Sequence, residues 1–124
     1  MSDPTERAYQ FGPFRLDPRR RTLLRDGRPL AVTAKVFDTL LALVERRGQV
    51  VSKNELMDAL WPDTAVEENN LTQHVSTLRK ILGERAGDHR YVVTLPGRGY
   101  SFVAPVTETN GNGMGAEANA DAYI

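Results

Sequence analysis

The chain of 124 residues contains no cysteine, which excludes a disulfide scaffold, thiolate zinc sites, iron–sulfur clusters and thiol catalysis. Hydrophobic residues make up 40% and charged residues 26%, enough for a packed core; no apolar run approaches the ~18–20 residues of a membrane helix, and the N-terminus lacks the apolar stretch of a signal peptide, so a cytoplasmic location is expected. Sixteen Lys and Arg balance sixteen Asp and Glu, but 15 of the bases and 11 of the acids fall between residues 9 and 106, so the expected folded part is mildly basic, which permits a phosphate partner without demanding one.

Residues 1–8 read as a disordered leader. Short strands are expected over residues 9–32, where Tyr9, Phe11, Phe14 and Leu16 alternate with polar, Gly or Pro spacers. Asp17-Pro18-Arg19-Arg20 is a turn. Thr22–Arg25, Asp26-Gly27 and Arg28–Val32 form a hairpin signature, because Asp-Gly supplies the positive φ angles of a two-residue turn. A helix over 33–47 follows from the spacing of Val36, Phe37, Leu40, Leu41 and Val44, with Thr33 as N-cap and Gly48 as stop. Ser52-Lys53-Asn54-Glu55 is a capping box that opens a second helix, closed by Trp61-Pro62. Thr64-Ala65-Val66-Glu67 repeats the capping-box pattern and opens a third helix, about 66–82. Tyr91–Thr94 and Tyr100–Val103 then read as a hairpin with a five-residue loop, Leu95–Gly99. From Thr107 onward the chain is rich in Gly, Asn and Ala, and residues 107–124 read as a disordered tail or linker. The predicted class is α+β: a winged helix-turn-helix over 9–106, with an N-terminal antiparallel sheet, three helices and a C-terminal hairpin wing.

On a helical wheel of the third helix, Leu71, Val75, Leu78 and Leu82 form one narrow apolar stripe. The opposite side carries Asn69, Gln73, Ser76, Thr77 and Lys80, flanked by Asn70 and Thr72, with His74 and Arg79 at the margins. Asn and Gln can pair with adenine, and Ser and Thr can bond several base edges. These are middling helix formers, where a merely solvated face usually carries Glu and Lys. A base-reading face and an ordinary polar face both fit the wheel alone.

Phe11–Asp17, Leu30–Leu41, Leu71–Leu82 and Thr94-Leu95-Pro96-Gly97-Arg98-Gly99-Tyr100-Ser101-Phe102 together resemble the OmpR/PhoB-type winged-helix effector domain, over about residues 9–105. The resemblance implies double-stranded DNA as partner and transcription regulation as function, with the third helix in the major groove and the wing in the adjacent minor groove. It implies base reading by Asn70, Thr72, Gln73 and Thr77. It places Asn69, His74, Ser76 and Lys80 against phosphates, with Thr94 and Tyr100 among the phosphate or groove contacts. The loop Trp61-Pro62-Asp63-Thr64 is similar to the segment that touches RNA polymerase in some members, although Trp61 also reads as a packing residue. Ser76 and Thr77 stand where arginines are common in the family, so phosphate anchoring is expected to lean on Lys80, Arg79 and Arg98. About eight residues precede the first strand, leaving no receiver module and no phosphoacceptor aspartate to assign. The order resembles the CadC/ToxR-like branch, in which this domain comes first and a membrane or sensor part follows.

His74 and His89 stand alone, so no metal or cofactor is expected, and no titratable cluster suggests an enzyme. Arg98 lies between two glycines at a hairpin tip, where it is either a solvated residue or one that reaches into a minor groove. A dimer on repeated half-sites is expected from the small size of one module. The competing function is a winged-helix protein–protein adaptor without DNA specificity.

Overall fold

A computed structural model describes residues 7–85, 88 and 90–110. His89, residues 1–6 of the expected leader and residues 111–124 of the expected tail lie outside the described residues. The chain divides into two compact units, one formed by Met1–Ala31 with Pro105–Ile124 and the other by Val32–Ala104.

The first unit is an antiparallel sheet of β1 (Arg7–Phe11), β2 (Phe14–Asp17), β3 (Thr22–Arg25), β4 (Arg28–Pro29) and a strand from the far end of the chain, Thr107–Asn110, in the order β4-β3-β2-β1 followed by that strand. Cross-strand pairs Tyr9↔Leu16, Phe11↔Phe14 and Leu16↔Leu23 place these apolar side chains on one face, and all are buried. Asp26 (φ 52°) and Gly27 (φ 82°) close the β3–β4 hairpin across the Arg25↔Arg28 pair, as their sequence predicts. Asp17 Oδ1 accepts hydrogen bonds from the backbone N–H groups of Arg19 and Arg20 at 3.1 and 3.2 Å, which holds the turn before β3.

The chain-terminal strand corrects the expected boundaries. Thr107–Asn110 pairs antiparallel with Arg7–Gln10, Arg7 Nη1 donates to Glu108 Oε1 at 3.1 Å, and Arg15 Nη1 donates to Thr109 Oγ1 at 3.1 Å. Residues 7, 8 and 107–110, assigned from sequence to the leader and tail, are thus part of the sheet. Main-chain ladder bonds and polar side-chain contacts hold the strand, so it needs none of the apolar alternation whose absence suggested disorder.

The second unit packs three helices and a hairpin. Helix α1 (Ala34–Glu45) has Thr33 as N-cap, whose hydroxyl accepts from the Val36 N–H at 3.3 Å. Helix α2 (Lys53–Leu60) opens on the predicted capping box: Ser52 Oγ accepts from the Glu55 N–H at 3.1 Å and Glu55 Oε1 accepts from the Ser52 N–H at 2.9 Å. These bonds from Ser52 hold the Glu55 carboxyl below its ordinary pKa. Helix α3 spans Glu68–Ile81 and starts later than expected. Its N-cap is Glu67, with no side-chain capping bond, so the capping box read at Thr64 does not form. Residues 64 and 65 are exposed, and the apolar stripe that anchors the helix begins only at Leu71. Leu71, Val75, Leu78 and Leu82 are all buried, as the wheel predicts.

The hairpin consists of β5 (Val92–Leu95) and β6 (Gly99–Phe102), and a final strand β7 is the Thr107–Asn110 segment described above. Leu95 pairs with Gly99, so the connecting loop is three residues rather than five. Pro96 and Gly97 (φ 75°) occupy the two central positions of a turn closed by the Arg98 N–H to Leu95 O bond at 2.9 Å. On its other side β6 pairs with Val51: the Val51 N–H donates to Tyr100 O at 2.8 Å and the Tyr100 N–H donates to Val51 O at 2.9 Å. This contact ties the hairpin to the residues just before α2.

Candidate nucleic-acid interface

Burial of the apolar stripe of α3 turns its polar residues to solvent. Asn69, Asn70, Thr72, Gln73, Ser76, Thr77 and Lys80 are all exposed. A helical period of about 3.6 sets these side chains on the side away from the stripe. Glu68, at the start of α3, forms a 2.7 Å ion pair with Lys53 Nζ of α2, and this pair raises the pKa of the Lys53 ammonium. The starts of both helices are thereby linked, and Glu68 brings a balanced rather than a bare negative charge to this end of the face. Ser52, Lys53, Asn54 and Glu68 line an open cleft together with Gly97 and Arg98 of the hairpin loop, so the wing tip stands beside the N-terminal end of α3. Arg98 and Thr94 are exposed.

Three residues placed on this face by sequence are otherwise engaged. Tyr100 is only 4% exposed and belongs to the packed interior through β6. His74 is half-buried and stacks on the Trp61 ring, with centroids 5.6 Å apart and planes inclined by 23°. Arg79 is half-buried and turns its guanidinium to β5, donating from Nε and Nη2 to Val92 O at 3.3 and 3.2 Å and from Nη2 to Thr94 Oγ1 at 2.6 Å. Trp61 is also half-buried, with Lys35 Nζ 5.5 Å from its ring centroid and hydrogen-bonded to Leu60 O, so it packs between α1 and α3. Pro62, Asp63 and Thr64 are exposed.

Gly99 needs its missing side chain for a reason internal to the chain. At φ 146°, a Cβ would lie 2.0 Å from Val51 O and 2.8 Å from Ser52 Cα. The close approach at Gly99 is therefore to the protein's own backbone. Two contacts escaped sequence reasoning altogether. One is the Lys53–Glu68 pair. The other is Glu84, only 8% exposed, whose Oε1 accepts from the N–H groups of Arg90 and Tyr91 at 2.7 and 2.9 Å, fastening the entry to β5. Their 15-residue and 6- to 7-residue separations match no local helix or turn pattern. Among the described residues no group of three or more His, Asp or Glu could hold a metal ion.

A three-helix unit whose last helix buries one stripe and exposes a short-chained polar face beside a β-hairpin defines a winged helix-turn-helix. The family described as "Transcriptional regulatory protein, C terminal" matches residues 27–102, and the chain belongs to it. It is 42% identical over 85 residues to the transcriptional regulator HilA of Salmonella typhimurium, covering 68% of this chain and 15% of HilA. It is 33% identical over 107 residues to the transcriptional activator CadC of Escherichia coli, covering 86% of this chain and 20% of CadC. The solved DNA-binding domain of E. coli CadC superposes with a TM-score of 0.71 at 32% identity, covering 81% of this chain and 94% of that domain. The DNA-binding domain of CpxR from E. coli gives 0.68 at 31% identity, with 77% and 95% covered. This chain spans only a small part of the full length of HilA and CadC. The role that follows from the family is sequence-specific DNA binding for the regulation of transcription.

Proposed function

We propose that the chain binds double-stranded DNA with α3 in the major groove and the β5–β6 wing against the adjacent minor groove. The observation that carries this reading is the exposed face of α3, where Asn70, Thr72, Gln73 and Thr77 offer short hydrogen-bonding side chains matched to base edges. Asn69, Ser76 and Lys80 flank them as phosphate contacts, Thr94 supplies a hydroxyl from the wing, and Arg98 supplies the groove contact from its tip. His74 and Tyr100 serve the reading indirectly, by fixing α3 against Trp61 and the wing against Val51. The partner is a target of repeated half-sites occupied by two copies, because a single module of this size offers a small interface. The exposed Pro62, Asp63 and Thr64 form the surface for RNA polymerase. Intact, the protein is a regulator whose DNA-binding part works in the cytoplasm; among the described residues no helix is long and apolar enough to cross a membrane.

Random-site selection with the purified chain tests this reading, followed by a salt titration on the selected duplex. About four to six phosphate contacts give a log–log slope of roughly −4 to −5. No enriched site, or binding without salt dependence, refutes it. Arg98→Ala tests the wing: folding stays intact, since the side chain is exposed, while affinity falls by about 1–2 kcal/mol and the slope flattens by about one unit. Unchanged affinity and slope would remove the wing contact from the proposal.

A further inference from the structure

The family resemblance would put Arg79 against a phosphate, but its guanidinium is committed elsewhere. Within the hairpin, the Val103 N–H donates to Tyr91 O at 2.8 Å, so the Tyr91 carbonyl faces β6. Carbonyls alternate sides along a strand, so the Val92 carbonyl points out of the hairpin on the free edge of β5. Arg79 occupies that edge. Nε and Nη2 converge on Val92 O, and Nη2 also reaches Thr94 Oγ1 at 2.6 Å. Arginine has donors only, so the Thr94 hydroxyl must be the acceptor in this bond. Its own proton is left over, and among the described residues no hydrogen bond uses it. Thr94 is exposed.

We propose that Arg79 is a positioning residue for DNA binding: it locks the outer strand of the wing to α3 and turns the Thr94 hydroxyl so that its proton is presented to a phosphate oxygen of the duplex. This inference rests on the DNA-binding reading above. The planar fork is essential to it, because one rigid group must reach a carbonyl and a hydroxyl two residues apart on the same strand edge. A lysine keeps the charge but not this geometry. Arg79 thereby fixes the angle between the two elements that enter neighbouring grooves.

The test is a double-mutant cycle on the selected duplex, with salt titrations of every variant and circular dichroism to check that each is folded. Arg79→Gln and Thr94→Val are each expected to weaken binding roughly fivefold, the loss of about one net hydrogen bond. The double variant is expected to lose no more than either single one, with the salt slope unchanged throughout. Arg79→Lys is expected to bind as weakly as Arg79→Gln, and Thr94→Ser, which keeps the hydroxyl, to recover most of the binding lost in Thr94→Val. The proposal is overturned if Arg79→Gln flattens the slope by about one unit and Arg79→Lys restores it, since Arg79 would then neutralise a phosphate directly. Losses that multiply in the double variant overturn it equally. Should Arg79→Gln fail to fold, full binding by Thr94→Val overturns it, as does a Thr94→Ser variant as weak as Thr94→Val. Failure of the parent chain to bind any duplex would instead refute the DNA-binding reading itself.

Discussion

Gly97 and Gly99 bracket the wing tip, both at positive φ, and replacing each with alanine is expected to have very different consequences. At Gly97 (φ 75°) a Cβ meets nothing within 4 Å. Gly97→Ala therefore costs only the strain of an L-residue in the left-handed region, about 1–2 kcal/mol. At Gly99 (φ 146°) the added Cβ lands 2.0 Å from Val51 O and 2.8 Å from Ser52 Cα, both backbone atoms that no rotamer change can move. Relief requires β6 to back away from Val51, which breaks the reciprocal Val51–Tyr100 bonds of 2.8 and 2.9 Å. Two backbone bonds at about 1 kcal/mol each, added to about 1–3 kcal/mol of backbone strain, give roughly 3–5 kcal/mol. That is a large fraction of the stability of a small domain. Urea unfolding followed by circular dichroism measures both variants against the parent. A Gly99→Ala loss equal to that of Gly97→Ala, or below about 1 kcal/mol, would refute the claim that the wing is seated on the chain before α2. A folded remnant of Gly99→Ala should also bind DNA more weakly than Gly97→Ala, because its wing has lost its seat.

Gln73→Ala should weaken binding to the selected duplex by about 1–3 kcal/mol and binding to random DNA much less; equal loss on both, measured by competition titration, would reduce Gln73 to a backbone contact. Acidification should loosen α2. Because the Ser52 bonds lower the Glu55 pKa in the folded state, this contribution is complete above the ordinary carboxylate pKa and disappears as pH falls through the lowered folded value. Glu55→Gln should therefore flatten the stability–pH curve on its acid side, and an unchanged curve would contradict the coupling. Ending the chain after Val106 rather than after Asn110 removes β7, with its ladder to β1 and its Arg7–Glu108 pair. A loss of about 1–2 kcal/mol in thermal unfolding is expected, and equal stability of the two truncations would show that the strand adds nothing.

Local chemistry made several features legible in the sequence. The stripe of Leu71, Val75, Leu78 and Leu82 determined which side of α3 is buried, and so which side carries Asn70, Gln73 and Thr77 outward. Periodicity suffices there because burial and exposure lie on opposite sides of one rigid cylinder. The Ser52–Glu55 capping box and the Asp26-Gly27 turn were equally readable, since each is complete within four residues. Other features depended on atoms far apart in the chain. Capping-box spacing alone could not start α3 at Thr64: Thr64 and Ala65 stay exposed, the fully buried stripe begins only at Leu71, and the helix begins at Glu68 instead. Strand β7 forms by backbone pairing with residues about a hundred positions away, and such bonds leave no signature in side-chain type. Tyr100 is drawn inside because β6 pairs with Val51 as well as with β5, and Arg79 faces the wing because Val92 and Thr94 stand within reach of its fork. The sequence alone thus determined the face that α3 offers to a partner, because helical periodicity is local. Only the tertiary structure decided which of its cations are free to use that face, because a long side chain goes wherever the folded chain has placed an acceptor.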